Sequence, residues 1–343
     1  MQNQENSSHS IISSPSIFNF NAWSSHRSAQ LVLFLANIIW GITPLFIEIS
    51  LGYFTPLQTT TLRFGVAVLV FSVIIALMKG RSGFSMLSGK TVITLGWLDA
   101  LAYITVTVGQ DITTPGLALL VSSFYIFFVP FLAWKIEGTE LSGRVIVIGI
   151  VGLGGIFLIS FNGDWTSFSN SSIIGIIILM LAAFMWGFYT VITGKFLNKA
   201  KSEREEIDLM SLTYASLFHT FLALLILSMM TGDVSFHFHL ELLPYILFLG
   251  IFPTIIALGS WNWAMARLGS INTSFLQLFQ IIIPFILELI FLQQFYSIWT
   301  YTGIFLVFLS IIWIDKGKNY GMEKKQQIEI KMGEIYRVKE KMI

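Results

Sequence analysis

The chain has 343 residues, of which 55% are hydrophobic and only 11% charged. Soluble domains carry about 25% charged residues, so no water-soluble fold of this size could cover so much apolar surface, and the bilayer is the expected solvent. A net charge of +1 argues against a dense nucleic-acid-binding face, and the absence of cysteine excludes disulfides, thiolate metal sites and a cysteine nucleophile.

Residues 1–29 are polar and serine-rich. They lack the basic start, short apolar run and small-residue site of a cleaved signal peptide, and read as a disordered cytoplasmic tail. Ten apolar segments come next, at 30–51, 56–78, 92–110, 115–134, 144–162, 172–194, 209–231, 243–266, 271–293 and 297–314. Each is long enough for the hydrocarbon layer, and each is expected to be a helix because lipid cannot satisfy an open backbone. Thr55-Pro56 and Thr114-Pro115 read as an N-cap followed by Pro at the first helical position. Residues 316–343 mix Lys and Glu and read as a second, charged cytoplasmic tail.

The distribution of positive charge orients these segments. With the N-terminus inside, the cytoplasmic loops hold Arg27, then Lys79, Arg81 and Lys90, then Lys135 and Arg144. They also hold Lys195, Lys199, Lys201 and Arg204, then Arg267 and the basic C-terminal tail. The outer loops hold Asp111, Asp164, Asp233 and Glu241. Of the twenty Lys and Arg, Arg63 alone is left over. It lies about 10 Å inside the second segment at 1.5 Å per residue.

Ten segments divide into five and five. One offset of 154 residues superposes Leu95-Gly96 on Leu249-Gly250, Pro130-Phe131 on Pro284-Phe285 and Gly149-Ile150 on Gly303-Ile304. Five is odd, so the second copy would be inverted relative to the first. Inverted repeats are a recurrent architecture of secondary transporters, with the substrate near the midplane between them.

Short motifs fall at matching places in this plan. They are Trp40-Gly41, Leu62-Arg63-Phe64, Pro130 with Glu140 and Gly149, Trp186-Gly187, the run Trp263 to Gly269, Ser274 and Pro284. In their order and spacing, over roughly residues 30–315, the chain resembles the EamA-type transporters of the drug/metabolite transporter superfamily. The resemblance implies an all-α integral membrane protein with two five-helix repeats, 30–162 and 172–314, and transport rather than catalysis. The chain departs from the family pattern in a short Pro130-to-Glu140 gap and in Gln294, where the second repeat usually carries an acid.

A charge at a helix centre costs about 2.5–3.5 kcal/mol on insertion scales, so intramembrane charges usually face protein or a wet cavity. Within the segments the chain carries Glu48, Arg63, Asp99 and Glu288, with His219. Asn37, Trp40, Pro44 and Glu48 are spaced 3, 4 and 4 apart on one helical face, and Gln277, Gln280, Pro284 and Glu288 repeat the pattern. Asp99 and Tyr103 are one turn apart. Asn37, Trp40, Asp99, Tyr103, Tyr125, Trp186, Gln277 and Gln280 are therefore the candidate substrate-binding residues, with Tyr189 as a further aromatic wall. Glu48, Arg63 and Glu288 share the outer half and are the candidate gate or ion pair. The competing readings of Arg63 are direct substrate contact and snorkelling toward the surface. His219 reads as a packed, hydrogen-bonded histidine or as a proton carrier.

Carboxylates with aromatic faces suit an amine, and an arginine suits a carboxylate. The expected substrate is a small polar metabolite such as an amino acid or amine. It would be moved by alternating access across the plasma membrane, with export as the expected direction and with either protons as the coupling ion or uncoupled, facilitated exchange. A membrane enzyme or a non-transporting scaffold or sensor is the alternative. No cofactor is expected. The Gly83 to Thr91 stretch has one residue too many for a phosphate loop, and His237 with His239 are too few for a metal. The expected partners are the small-molecule substrate and the lipid bilayer, with no nucleic acid, in a monomer or homodimer.

Overall fold

A computed structural model describes residues 26–113, 115–161, 164, 173–234, 240–283, 296–310 and 312–313. Most of both tails, Thr114, the Asn170-Ser171-Ser172 sequon of a predicted outer loop, His237, His239, Pro284, Glu288 and Gln294 lie outside the described residues. Among the described residues every regular element is helical.

In chain order the elements are α1 (His26–Leu51), α2 (Pro56–Lys79), α3 (Lys90–Asp111), α4 (Pro115–Ser122), α5 (Tyr125–Ile136) and α6 (Gly143–Phe161). Then come α7 (Ile173–Glu203), α8 (Leu209–Thr231), α9 (Leu243–Leu249), α10 (Ala257–Leu268), α11 (Ser270–Leu276) and α12 (Ile298–Ser310). A 3₁₀ turn, Gly80–Ser88, joins α2 to α3, and a π-helical segment, Gly250–Ile256, joins α9 to α10. Seven helical stretches are long and apolar enough to cross a membrane, counting α4 with α5 and Leu240–Leu268 as one each. Three shorter apolar helices, Gly143–Ile159, Ser270–Ile283 and Ile298–Ser310, fall on the predicted fifth, ninth and tenth segments.

Local chemistry sets the ends. Thr55 caps α2: its hydroxyl accepts from the Gln58 N–H at 3.1 Å, and the Gln58 side chain accepts from the Thr55 N–H at 3.2 Å, with Pro56 at the first turn. Asp208 caps α8 at its start, and Gly232 ends it in the left-handed region at φ 74°, where glycine is favoured. Two of the predicted segments are broken rather than continuous. The chain turns at Ser123–Phe124 between α4 and α5, and again at Gln277–Leu278 after α11. These two turns stand 154 residues apart, the offset of the repeat read in the sequence.

Packing between helices in lipid rests on close contact and hydrogen bonds, since the tails are as apolar as the side chains. α3 lies against α7 and α8. Gly96 is pressed so close to α8 that an added Cβ would lie 2.9 Å from the Ser216 carbonyl oxygen. α2 and α8 run antiparallel and share polar contacts along their whole length. Asp233 accepts from Thr55 and from Gln58 (2.7 Å), Thr61 meets Ser228 at 3.1 Å, Ser72 meets Tyr214 at 2.9 Å, and Lys79 pairs with Asp208 at 2.9 Å. Burial pushes the Asp208 carboxyl up, but hydrogen bonds from Lys79 and Ser211 and the Lys79 charge outweigh it and hold the group below the usual carboxylate range.

Candidate functional site

The helices enclose a cavity of about 840 Å³, counting its open mouth. Its lining comes from α1, α2, α3, α4 and α5 on one side and from α7, α10 and the turn after α11 on the other.

The aromatic walls are built in pairs. Trp40 and Trp186 each precede a glycine, and the glycine explains the pairing. Gly41 lets α1 approach the Gln280 backbone, where a Cβ would lie 2.9 Å from the carbonyl oxygen, and Gly187 lets α7 approach Phe128. The tryptophan beside each is thereby held at the cavity wall. Trp186 meets Tyr103 edge-on at 5.4 Å, and Tyr189 stacks on Trp261 at 5.7 Å. The Trp40 indole N–H donates to the Pro253 carbonyl at 3.0 Å, inside the π-helical segment. Such segments loosen the backbone ladder and recur at functional sites.

Arg63 is buried, with 3% of its surface exposed. Its Nε donates to the Thr254 hydroxyl at 2.7 Å, and its guanidinium lies over the Tyr103 ring at 4.7 Å. Thr254 in turn donates to the Leu249 carbonyl at 2.7 Å, five residues back, which the wider π turn makes possible. Asp99, one turn from Tyr103, is also buried and accepts from the Thr220 hydroxyl at 3.2 Å. A cation and an anion thus line one cavity around a single tyrosine. They are not in direct contact: no ion pair joins them among the described residues.

At the far side, Gln277 sits at the helix break. Its side-chain oxygen accepts from the Tyr125 hydroxyl at 2.8 Å and from the Trp261 indole at 2.9 Å. Gln280 lines the same wall.

Of the residues singled out in the sequence, Trp40, Arg63, Asp99, Tyr103, Tyr125, Trp186, Tyr189, Gln277 and Gln280 meet around this cavity. Asn37 does not. Its amide is turned away to the Leu276 carbonyl at 2.9 Å, where it serves the helix break instead. The expected partnership of Arg63 with Glu48 is also absent. Thr254 and Tyr103 take the guanidinium, while Glu48 accepts from Gln110 at 3.3 Å. Glu288, the other expected partner, lies outside the described residues. His219 is packed and hydrogen-bonded to the Leu87 carbonyl at 2.7 Å, off the cavity lining. Sequence reasoning missed Gln110, Trp261, Thr220 and Thr254. Gln110 could have been found as an amide in an apolar run, and Thr254 by its place beside Pro253. Nothing in the sequence marks Trp261 off from the other tryptophans.

The family model described as EamA-like transporter family matches residues 27–161 and 173–314. The chain is 23% identical over 255 residues to a protein of Archaeoglobus fulgidus named an uncharacterized transporter, covering 73% of this chain and 84% of the relative. A second protein of that organism, with the same name, is 22% identical over 290 residues, covering 83% of this chain and 84% of the relative. One crystal structure of a protein superposes with a TM-score of 0.63 over 84% of this chain and 97% of its own, at 16% identity, a likeness of fold alone.

Proposed function

Because the chain belongs to the EamA-like transporter family and is a multi-pass membrane transporter, we propose that it is a secondary transporter of a small zwitterion or amine. The observation that carries this reading is the cavity itself. It is lined by both family-matched segments and holds a buried cation and a buried anion between aromatic walls. Isolated charges inside a membrane are costly and persist where they face a working cavity. Arg63 suits a substrate carboxylate, and Asp99 with Trp40, Trp186 and Tyr189 suits an ammonium group.

The transport cycle has the same logic. Ten spans form two inverted five-helix repeats, and the substrate is exposed to each side in turn as one repeat rocks against the other. The turns at Ser123–Phe124 and Gln277–Leu278 are the equivalent broken helices of the two repeats. Both termini are cytoplasmic, the membrane is the plasma membrane, and transport is outward. Asp99 carries the coupling proton. The chain acts as a monomer or homodimer, and the substrate leaves unchanged.

The test is transport by the purified full chain in proteoliposomes, with labelled amino acids, polyamines and choline. We expect counterflow of at least one compound, and uptake driven by a pH gradient. Asp99→Asn should abolish the pH-driven uptake and leave exchange. Absence of flux for every compound, with folded protein, refutes transport of this class. Equal loss of both modes in Asp99→Asn refutes the proton role.

A further inference from the structure

The Gln277 side chain has a forced orientation. An indole N–H can only donate, so the atom facing Trp261 must be the amide oxygen. The Tyr125 hydroxyl occupies the second lone pair of the same oxygen, the nearer of its two acceptors, with the Ser274 carbonyl at 3.2 Å. Both partners are buried, at 3% exposure each, and Trp261 is clamped by the stacked Tyr189 ring. The amide nitrogen is therefore left as a fixed pair of donors. It makes no hydrogen bond among the described residues, and Gln277 lines the cavity.

Its place along the cavity is also set. Trp261, which holds Gln277, is seven residues beyond Thr254, which holds Arg63. Seven residues of helix rise about 10 Å, so the two anchor points stand well apart along the axis. A zwitterionic head at Arg63 and Asp99 would thus leave the rest of a small substrate pointing toward the Gln277 donors, set in aromatic walls.

Resting on the transport reading above, we infer that Gln277 is a specificity-determining residue that reads an oxygen acceptor at the far end of the substrate. The preferred class is amino acids or amines whose side chain carries a carbonyl. Apolar side chains of the same shape are disfavoured because they strand two donors that the cavity has already oriented. Tyr125 and Trp261 are positioning residues: they act only by holding the Gln277 oxygen.

Glutamine and methionine are close in shape and differ in that acceptor. The experiment measures uptake of each, labelled, by the full chain in proteoliposomes, and takes the ratio. Wild type should favour glutamine by about tenfold, the effect of leaving unpaired a donor that the bound substrate shields from water. Gln277→Met should bring the ratio close to one, and Tyr125→Phe should lower it part of the way. A Gln277→Met ratio equal to wild type, or equal loss of both fluxes, overturns the inference. Should Gln277→Met fail to fold, Tyr125→Phe decides, and an unchanged ratio there overturns it. A wild type that carries amines or amino acids with no preference for the carbonyl overturns the inference and leaves the transport reading standing. A wild type that carries nothing in the panel fails the transport reading itself, and the inference with it.

Discussion

Gly96→Ala is the sharpest structural perturbation available beside the cavity. An added Cβ would lie 2.9 Å from both the Ser216 oxygen and the His219 carbonyl carbon, and closer still to the His219 Cβ. Ordinary contact between such atoms is about 3.5–4.0 Å, so α3 and α8 must part by about an ångström. The obstacles are mainly backbone, which cannot swing aside. Overpacking of this kind costs about 1–3 kcal/mol. Alanine gains back up to about 1 kcal/mol in helix propensity, so the net is a loss.

The site should feel the same shift. Asp99 lies one turn beyond Gly96, and its partner Thr220 is next to His219. Their bond, at 3.2 Å, is already at the long end of the useful range and does not survive another ångström. Gly154→Ala is the control, because nothing lies within 4 Å of its added Cβ. Thermal melting of the purified proteins, with pH-driven uptake in parallel, provides the assay. Gly96→Ala should melt below wild type and lose pH-driven uptake, while Gly154→Ala should melt at or slightly above it. A Gly96→Ala protein as stable as the Gly154→Ala control would refute the close approach of α3 and α8.

Other expectations rest on single contacts. The depressed Asp208 carboxyl lends stability above its unfolded value near 4 and loses it as pH falls through the lower folded value. Asparagine can still cap α8, so Asp208→Asn should melt below wild type at pH 7, with the gap closing in acid; a gap independent of pH would show that the Lys79 pair is idle. The pair is half-exposed and its effect should shrink in high salt. Arg63 and Glu48 make no pair, so a double-mutant cycle of Arg63→Gln and Glu48→Gln on thermal stability should be additive within about 0.5 kcal/mol, and a larger coupling would contradict the geometry. Since the chain has no cysteine of its own, Thr61→Cys with Ser228→Cys gives a single oxidisable pair whose native oxygens are 3.1 Å apart. Its cross-link should form and spare transport, and complete block on oxidation would mean that α2 and α8 separate during the cycle.

The helical segments were legible because each solves the same problem of apolar length, and because Thr55, Pro56 and Gly232 punctuate them. The cavity was partly legible for a related reason. A polar or aromatic residue at helical spacing in an apolar run has few places to go, which is why Trp40, Asp99, Gln277 and Gln280 could be picked out. Periodicity gives a face and not a neighbour, however. Asn37 shares the face of Trp40, yet a free carbonyl at Leu276 captures its amide. Arg63 was assigned a carboxylate because charge is visible in sequence; the ring of Tyr103 and the hydroxyl of Thr254, which hold it, are ordinary residues until the helices meet. The π-helical segment was illegible as such. Widening the turn over Gly250–Ile256 rotates α10 about the helix axis, so spacing counted at 3.6 residues per turn misplaces the faces of that helix.

The π-helical segment also clarifies how the cavity is wired. Trp40 to Pro253, Arg63 to Thr254, Thr220 to Asp99 and Tyr125 to Gln277 each join the first family-matched segment to the second, and each involves a cavity residue. The α2–α8 contacts also cross between segments, but their residues do not line the cavity. A hydrogen bond contributes about 0.5–1.5 kcal/mol net, somewhat more when one partner is charged, so four of them amount to a few kcal/mol. A ligand shifts an equilibrium only by its differential affinity for the two states, and a few kcal/mol is within reach of a small polar molecule. A substrate that offers its own carboxylate and ammonium can take over from the contacts at Arg63 and Asp99, while Tyr125 keeps its hold on Gln277. Rocking about the α2–α8 seam would then exchange protein contacts for substrate contacts at nearly constant free energy, which is the condition for a carrier that neither traps its cargo nor opens without it.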